Sequence, residues 1–376
     1  MRLQPVPASL IKIYWGMASN CTRAARAVAV LLAALVLLPT TGCLAAGGSG
    51  QVSQTPATPP ARVAPAARET VAGVPYDPSA PLDATVTRLG GQGITSYNVR
   101  YRGAKGDFVP GVLTLPAPPP GAEKPAPPPC VLLLHGLGGS KGDMFLIGLS
   151  FASRGYATLA IDIAGHGERP RIGDKPSIEM TMPEMRQACA TTVIDLRRGV
   201  DFLATRPEID AKRLGFVGLS MGGILGGVFI ACEPRVRAAT LWAAGGDWGT
   251  LVTTSTHAFA RRFRERGATD SATIRAQMND VDPVRYIARF TGRPLLLING
   301  DSDLVVPRAS TDALFAAARD PKRRVTLPGG HVPNLPQMME QTLAFLNANL
   351  KGQTAAKKAG TLSARRPPLR RPGQHG

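Results

Sequence analysis

The chain has 376 residues, 44% of them hydrophobic and 19% charged, with a formal net charge of +18. This length and balance suit a globular protein of one large domain or two small ones and exclude a fibrous or wholly disordered chain. The charge sits at the ends: Arg2, Lys12, Arg23 and Arg26 have no acidic partner in residues 1–50, and seven Lys and Arg have none from Lys351 onward, leaving +7 for everything between. That distribution argues against a nucleic-acid-binding face, which needs clustered cations with interleaved aromatic residues.

Arg23 and Arg26 precede the apolar run Ala27–Leu38 and then PTTGCLAAGG. A cationic start, a short apolar stretch and small residues make an export signal, and the apolar run is too short for a comfortable bilayer span. The signal is placed at residues 1–46, which implies a periplasmic, membrane-anchored or secreted protein of a bacterial envelope. Cys43 follows Thr41-Gly42 and resembles the lipidated cysteine of a bacterial lipobox, although Pro39 and Thr40 replace the usual apolar residue. Lipidation at Cys43, with membrane attachment, and ordinary cleavage near Ala45 or Ala46 both remain open. Residues 47–94, rich in Ala, Pro, Gly, Ser and Thr, read as a mostly disordered linker, and residues 351–376 as a basic disordered tail. Beyond the signal stand Cys130, Cys189 and Cys232, an odd number that allows at most one internal disulfide. No Cys/His spacing suggests a structural metal.

Folded structure is expected from about residue 95 to residue 350. SYNVRYR and DFVPGVLTLP, separated by Gly103–Gly106, predict a hairpin, and the proline-rich stretch Pro116–Pro129 predicts a loop outside any ladder. From Cys130 on, short apolar runs alternate with longer helical segments. The runs are CVLLLH (130–135), YATLAI (156–161), LGFVGL (214–219), AATLWAA (238–244), PLLLIN (294–299) and RRVTLP (323–328). Continuous apolar runs predict strands buried on both faces, and the segments between them predict helices at Lys141–Ser153, Pro183–Thr205, Met221–Ala231, Arg308–Ala318 and Pro336–Leu350. The fold class is therefore α/β, a doubly wound and mostly parallel sheet with an N-terminal antiparallel hairpin.

Ser220 stands directly between the LGFVGL strand and the MGGILGGVFIA helix, flanked by Gly218 and Gly222. A strand-to-helix turn this tight brings backbone against the residues two before and two after the serine, and glycines relieve that crowding. Such a turn presents the hydroxyl at the carboxyl edge of the sheet. A serine hydroxyl needs a base, and of the five histidines His331, in LPGGHVPN after the last strand, is best placed. An acid to orient it belongs at a strand end between the two, where INGDSD provides Asp303, with Asp301 as the second choice. HGLGGS (135–140) follows the first buried strand and turns backbone N–H groups inward, so Leu137 N–H and Met221 N–H are the expected oxyanion donors. A helix cap for Ser220 and a turn aspartate for Asp303 are the plainer readings of these residues taken singly.

LLLHGLGGS, IDIAGHGER, GFVGLSMGG, DPVRYIARFTGRPLLLINGDSD and LPGGH together resemble the α/β-hydrolase fold superfamily, in particular its dienelactone hydrolase-like and prolyl-oligopeptidase-like serine esterases. The resemblance covers roughly residues 95–350. It implies a Ser220-Asp303-His331 triad, no cofactor and ester hydrolysis through an acyl-enzyme. Dienelactone hydrolase itself has a cysteine where this chain has Ser220, and oligopeptidases carry a propeller that the ordered residues before the core cannot make. In similar esterases the loop bearing Asp162, His166, Glu168 and Arg169 mostly shapes the site; direct substrate contact is its other reading. The stretch between WAAGGDWG and the Asp303 strand, including HAFARRFRERG, suggests a small helical cap, while Trp242 and Trp248 suit core and acyl-site lining equally. A small-molecule ester is the expected partner, nucleic acid is not, and oligomeric state stays open. A peptidase or amidase on the same triad, and a non-catalytic envelope binding protein on a hydrolase scaffold, are the alternatives.

Overall fold

A computed structural model of the chain describes residues 70–121, 125–174 and 176–351. The export signal, Cys43 and all of the basic tail beyond Lys351 lie outside the described residues. Two short strands, β1 (Thr70–Val71) and β2 (Val74–Pro75), pair with each other. They are followed by β3 (Thr85–Gly90), β4 (Thr95–Arg102) and β5 (Phe108–Leu115), then β6 (Pro129–Leu134), α1 (Lys141–Ala152), β7 (Ala157–Ile161) and α2 (Met182–Ala204). β8 (Asp210–Leu219) leads into α3 (Met221–Cys232) and β9 (Val236–Trp242). Four shorter helices come next: α4 (Trp248–Thr254), α5 (Ala258–Glu265), α6 (Ser271–Met278) and α7 (Pro283–Tyr286). β10 (Leu295–Gly300), α8 (Arg308–Ala317), β11 (Lys322–Leu327) and α9 (Leu335–Leu346) complete the order.

The nine-stranded sheet runs β11-β10-β9-β8-β6-β7-β5-β4-β3. β6 to β11 are mutually parallel, while β5, β4 and β3 join antiparallel beyond β7. The unbroken apolar runs are explained by two-sided burial: Cys130, Leu132 and Leu134 of β6 enter one core, Val131 and Leu133 the other. Helices α1 and α9 cover the second core through residues such as Phe151 and Leu346, and α2, α3 and α8 cover the first through Leu196, Phe229 and Leu314. From β6 the chain steps to β7 on one side and then back to β8 on the other, so the strand order reverses at β6. In open α/β sheets the crevice at the carboxyl ends of such a reversal is where ligands bind.

Among the described residues folded structure is already present from Thr70, upstream of the boundary the sequence suggests near residue 95. Val71, Val74 and Tyr76 are buried in the first core, and Tyr76 O–H donates to Asp201 Oδ1 on α2 at 2.7 Å. β3 pairs antiparallel with β4 as the outer edge of the sheet, its Thr85, Thr87 and Arg88 exposed. An edge strand and two short segments pinned by three side chains need few apolar residues, so the composition of residues 70–94 resembles a linker. Cys130, Cys189 and Cys232 are all buried. No helix among the described residues is long and apolar enough to cross a membrane.

Candidate active site

Ser220 occupies the single residue between β8 and α3 with φ 54° and ψ −116°. A non-glycine residue at this φ stores about 1–3 kcal/mol of strain and persists only where its surroundings over-determine it. Here Ser220 N–H donates to the Trp242 carbonyl at the end of β9 at 2.8 Å, and Ile224 N–H donates to the Ser220 carbonyl at 2.9 Å. The flanking glycines are sterically required. A Cβ on Gly218 would lie 2.3 Å from the Gly222 carbonyl oxygen, and one on Gly222 would lie 2.3 Å from the Leu134 carbonyl oxygen. The turn therefore folds against its own helix and against the end of β6, and only glycine fits at either position.

His331 and Asp303 reach the serine from the ends of β11 and β10. His331 Nδ1 is 2.8 Å from Asp303 Oδ2 and His331 Nε2 is 2.8 Å from Ser220 Oγ. A carboxylate only accepts, so Nδ1 carries the proton and Nε2 is left to accept from the Ser220 hydroxyl. Asp303 is buried, and its other oxygen accepts from Val305 N–H at 2.8 Å and Val306 N–H at 2.9 Å, which fixes the carboxylate plane. Asp301 lies elsewhere: its Oδ1 accepts from Gly329 N–H at 3.0 Å, closing the turn before His331. Of the two carboxylates the sequence offers, the structure brings Asp303 to the histidine.

The 135–140 loop borders the serine. A Cβ on Gly136 would be 3.4 Å from Ser220 Cβ and 3.9 Å from its Oγ. Leu137 follows within this loop, and Met221 N–H, at the first position of α3, has no carbonyl within the helix to receive it. The loop is held by polar groups that the sequence reading left between structure and substrate contact. His135 Nδ1–H donates to the Gly136 carbonyl at 2.7 Å, and its Nε2 accepts from Ile163 N–H at 3.0 Å. Burial pushes the His135 imidazole down to about 4, so the ring is neutral. Asp162, fully buried, accepts from Lys141 N–H at 2.6 Å, Lys141 Nζ at 3.2 Å and Glu168 N–H at 3.0 Å. Arg169 bridges Asp195 at 2.7 Å and Asp107 at 2.6 Å, and its side chain is buried. The Asp162–Arg169 segment thus joins the loop after β6 to the loop after β7 and to α2.

Helices α4 to α7 form the expected helical insertion between β9 and β10. Trp242 and Trp248 are core residues, with Trp242 Nε1–H donating to Thr342 Oγ1 at 2.8 Å. His257, at the start of α5, was not singled out by motif or spacing; it lies near enough to His331 for charge there to bear on it. Among the described residues no group of three or more His, Cys, Asp or Glu is placed to hold a metal ion.

A strained serine at a strand-to-helix turn, a histidine and an aspartate in line behind it, and a backbone loop in front are carried by the fold of the α/β-hydrolases. Residues 146–328 match the model of the prolyl oligopeptidase family, Peptidase_S9. Among solved structures, an acetyl xylan esterase from Paenibacillus sp. R4 superimposes with a TM-score of 0.61 at 23% identity, covering 72% of this chain and 90% of that one. An uncharacterized protein of Mycobacterium tuberculosis is 26% identical over 215 residues, 56% of this chain and 65% of its own length. A 2,6-dihydropseudooxynicotine hydrolase of Paenarthrobacter nicotinovorans is 30% identical over 125 residues, 33% of this chain and 30% of its own. The chain thus spans less than two thirds of the length of these two relatives.

Proposed function

We propose that this protein is a serine carboxylic ester hydrolase of the bacterial envelope that works through an acyl-enzyme. The observation that carries the reading is the hydrogen-bonded line Ser220 Oγ, His331, Asp303, with both links at 2.8 Å. Ser220 Oγ attacks the ester carbonyl while His331 Nε2 takes its proton, and Asp303 holds the ring and stabilises the imidazolium. Leu137 N–H and Met221 N–H receive the oxygen that becomes negative. His331 then protonates the departing alcohol, and a water, deprotonated by the same ring, releases the acid and restores Ser220. The export reading of residues 1–46 places this activity outside the cytoplasm, with Cys43 as the candidate anchor.

The match to a peptidase family supports a second reading, in which the same groups cleave an amide. Hydrolysis of p-nitrophenyl esters from acetyl to long acyl, set beside the matching p-nitroanilides, separates the two. Acetyl esters are the first to try, given the acetyl xylan esterase among the structural neighbours. Rapid ester turnover that disappears in Ser220→Ala, with much slower anilide turnover, is expected. Preferential cleavage of anilides would establish the second reading instead.

A further inference from the structure

His257 is an imidazole beside the triad to which the mechanism gives no task. It is half-buried between α4 and α5, and its segment is fastened to the loop that carries Asp303. Ser255 Oγ donates to the Val305 carbonyl at 2.6 Å, and Thr256 donates to the Leu304 carbonyl through its N–H at 2.9 Å and its Oγ1 at 3.0 Å. His257 N–H donates to Ser255 Oγ at 3.1 Å. Val305 and Val306 are the residues whose N–H groups hold Asp303. A short run of hydrogen bonds thus fixes the backbone of His257 relative to the triad.

The proton on the ring is also assigned. Phe259 N–H donates to His257 Nδ1 at 3.1 Å, which makes Nδ1 the acceptor that caps α5 and leaves the hydrogen on Nε2. Nε2–H meets no protein acceptor among the described residues, and it is not among their sealed, unpaired polar atoms. Burial, and then charge on His331, hold the imidazole below its ordinary range, so it offers a neutral N–H donor rather than a cation at pH 7.

We propose that His257 Nε2–H binds the alcohol half of the substrate by donating to a second oxygen on that alcohol, so that esters of polyhydroxy alcohols are favoured over simple alkyl esters. The inference rests on the ester-hydrolase reading above. His331 hands its proton to the leaving alcohol, so the alcohol lies beside His331, and a group near His331 meets the alcohol rather than the acyl chain. A donor without a protein partner is satisfied by a hydroxyl or ether oxygen one or two carbons from the ester, and a plain alkyl group leaves it unmet.

The test compares glycerol monoacetate with propyl acetate, which share an acyl group and a three-carbon alcohol, in the full chain and in His257→Ser. Serine is a favoured helix cap, so the variant keeps the acceptor for Phe259 N–H while removing the ring donor. His257→Asn, another favoured cap too short to reach as far as the ring, is the second variant, and thermal unfolding checks both. Expected is a loss of about three- to tenfold in kcat/KM for glycerol monoacetate in either variant, the worth of one neutral hydrogen bond, with propyl acetate unchanged within about twofold. Equal losses on the two esters, or no loss on either, would overturn the role of His257 while leaving the esterase intact. Failure of the wild type to hydrolyse any ester would overturn the ester-hydrolase reading and this inference with it.

Discussion

Replacing Gly222 with alanine perturbs the turn beneath Ser220 without touching any side chain of the triad. The new Cβ would lie 2.3 Å from the Leu134 carbonyl oxygen and 2.5 Å from that of His135. Both obstacles are backbone at the end of β6, so no side chain can swing aside. Restoring ordinary contact requires α3 to move from β6 by about 1 Å. Overpacking of this kind costs about 1–3 kcal/mol, which for a domain of this size lowers Tm by about 2–12 °C. The same displacement carries Ser220 away from His331 and from the 135–140 loop, and misplacement by about 1 Å reduces rate by about 10²-fold. The assay is kcat/KM on p-nitrophenyl acetate together with calorimetric Tm, with Gly330→Ala alongside. Gly330 precedes His331 directly, yet a Cβ there meets nothing within 4 Å, so that variant keeps activity within a few-fold. A Gly222→Ala enzyme with wild-type rate and Tm would refute the reasoning about the turn.

Asp303→Asn preserves volume but offers an amide to His331 Nδ1, and kcat is expected to fall by about 10³–10⁴-fold; Asp301→Asn, whose amide oxygen still accepts from Gly329 N–H, stays within a few-fold. Comparable losses in the two variants would contradict the assignment. His135 titrates at about 4 when folded against an ordinary 6.5, because burial disfavours its charged form. The unfolded chain therefore binds more protons between these values, so the contribution of this group is complete above pH 6.5 and is lost as pH falls toward 4. Denaturant unfolding of His135→Gln across that window is expected to show a shallower fall of stability with acid than wild type, and an unchanged slope would count against a neutral buried ring.

The parallel core was legible because two-sided burial leaves a plain mark: CVLLLH and PLLLIN have no polar face, and strands β6 and β10 lie within two residues of those runs. Ser220 was legible because its turn demands glycine on both sides, and His331 because few histidines compete for a strand end. Chain order located the acid in INGDSD without separating Asp303 from Asp301; in space it is Asp303 whose backbone donors, Val305 and Val306, turn its carboxylate toward His331. The entry of residues 70–94 into the fold was hidden, since Tyr76 is anchored by Asp201 more than a hundred positions away and β3 is an exposed edge. His257 was hidden for a similar reason: its nearness to the triad comes from Thr256 bonding the Leu304 carbonyl, a contact no local pattern records. The Asp162–Arg169 cluster was visible as charge, but its structural task depends on Asp195 and Asp107, which only the fold brings to Arg169.

The most direct test of the central claim is to treat the purified protein with a fluorophosphonate, measure intact mass and map the modified peptide. One adduct on Ser220, formed in parallel with loss of ester hydrolysis and absent from Ser220→Ala and from denatured protein, is the expected result. An adduct on another residue, or ester hydrolysis that survives in Ser220→Ala, would contradict the assignment of Ser220 as the nucleophile.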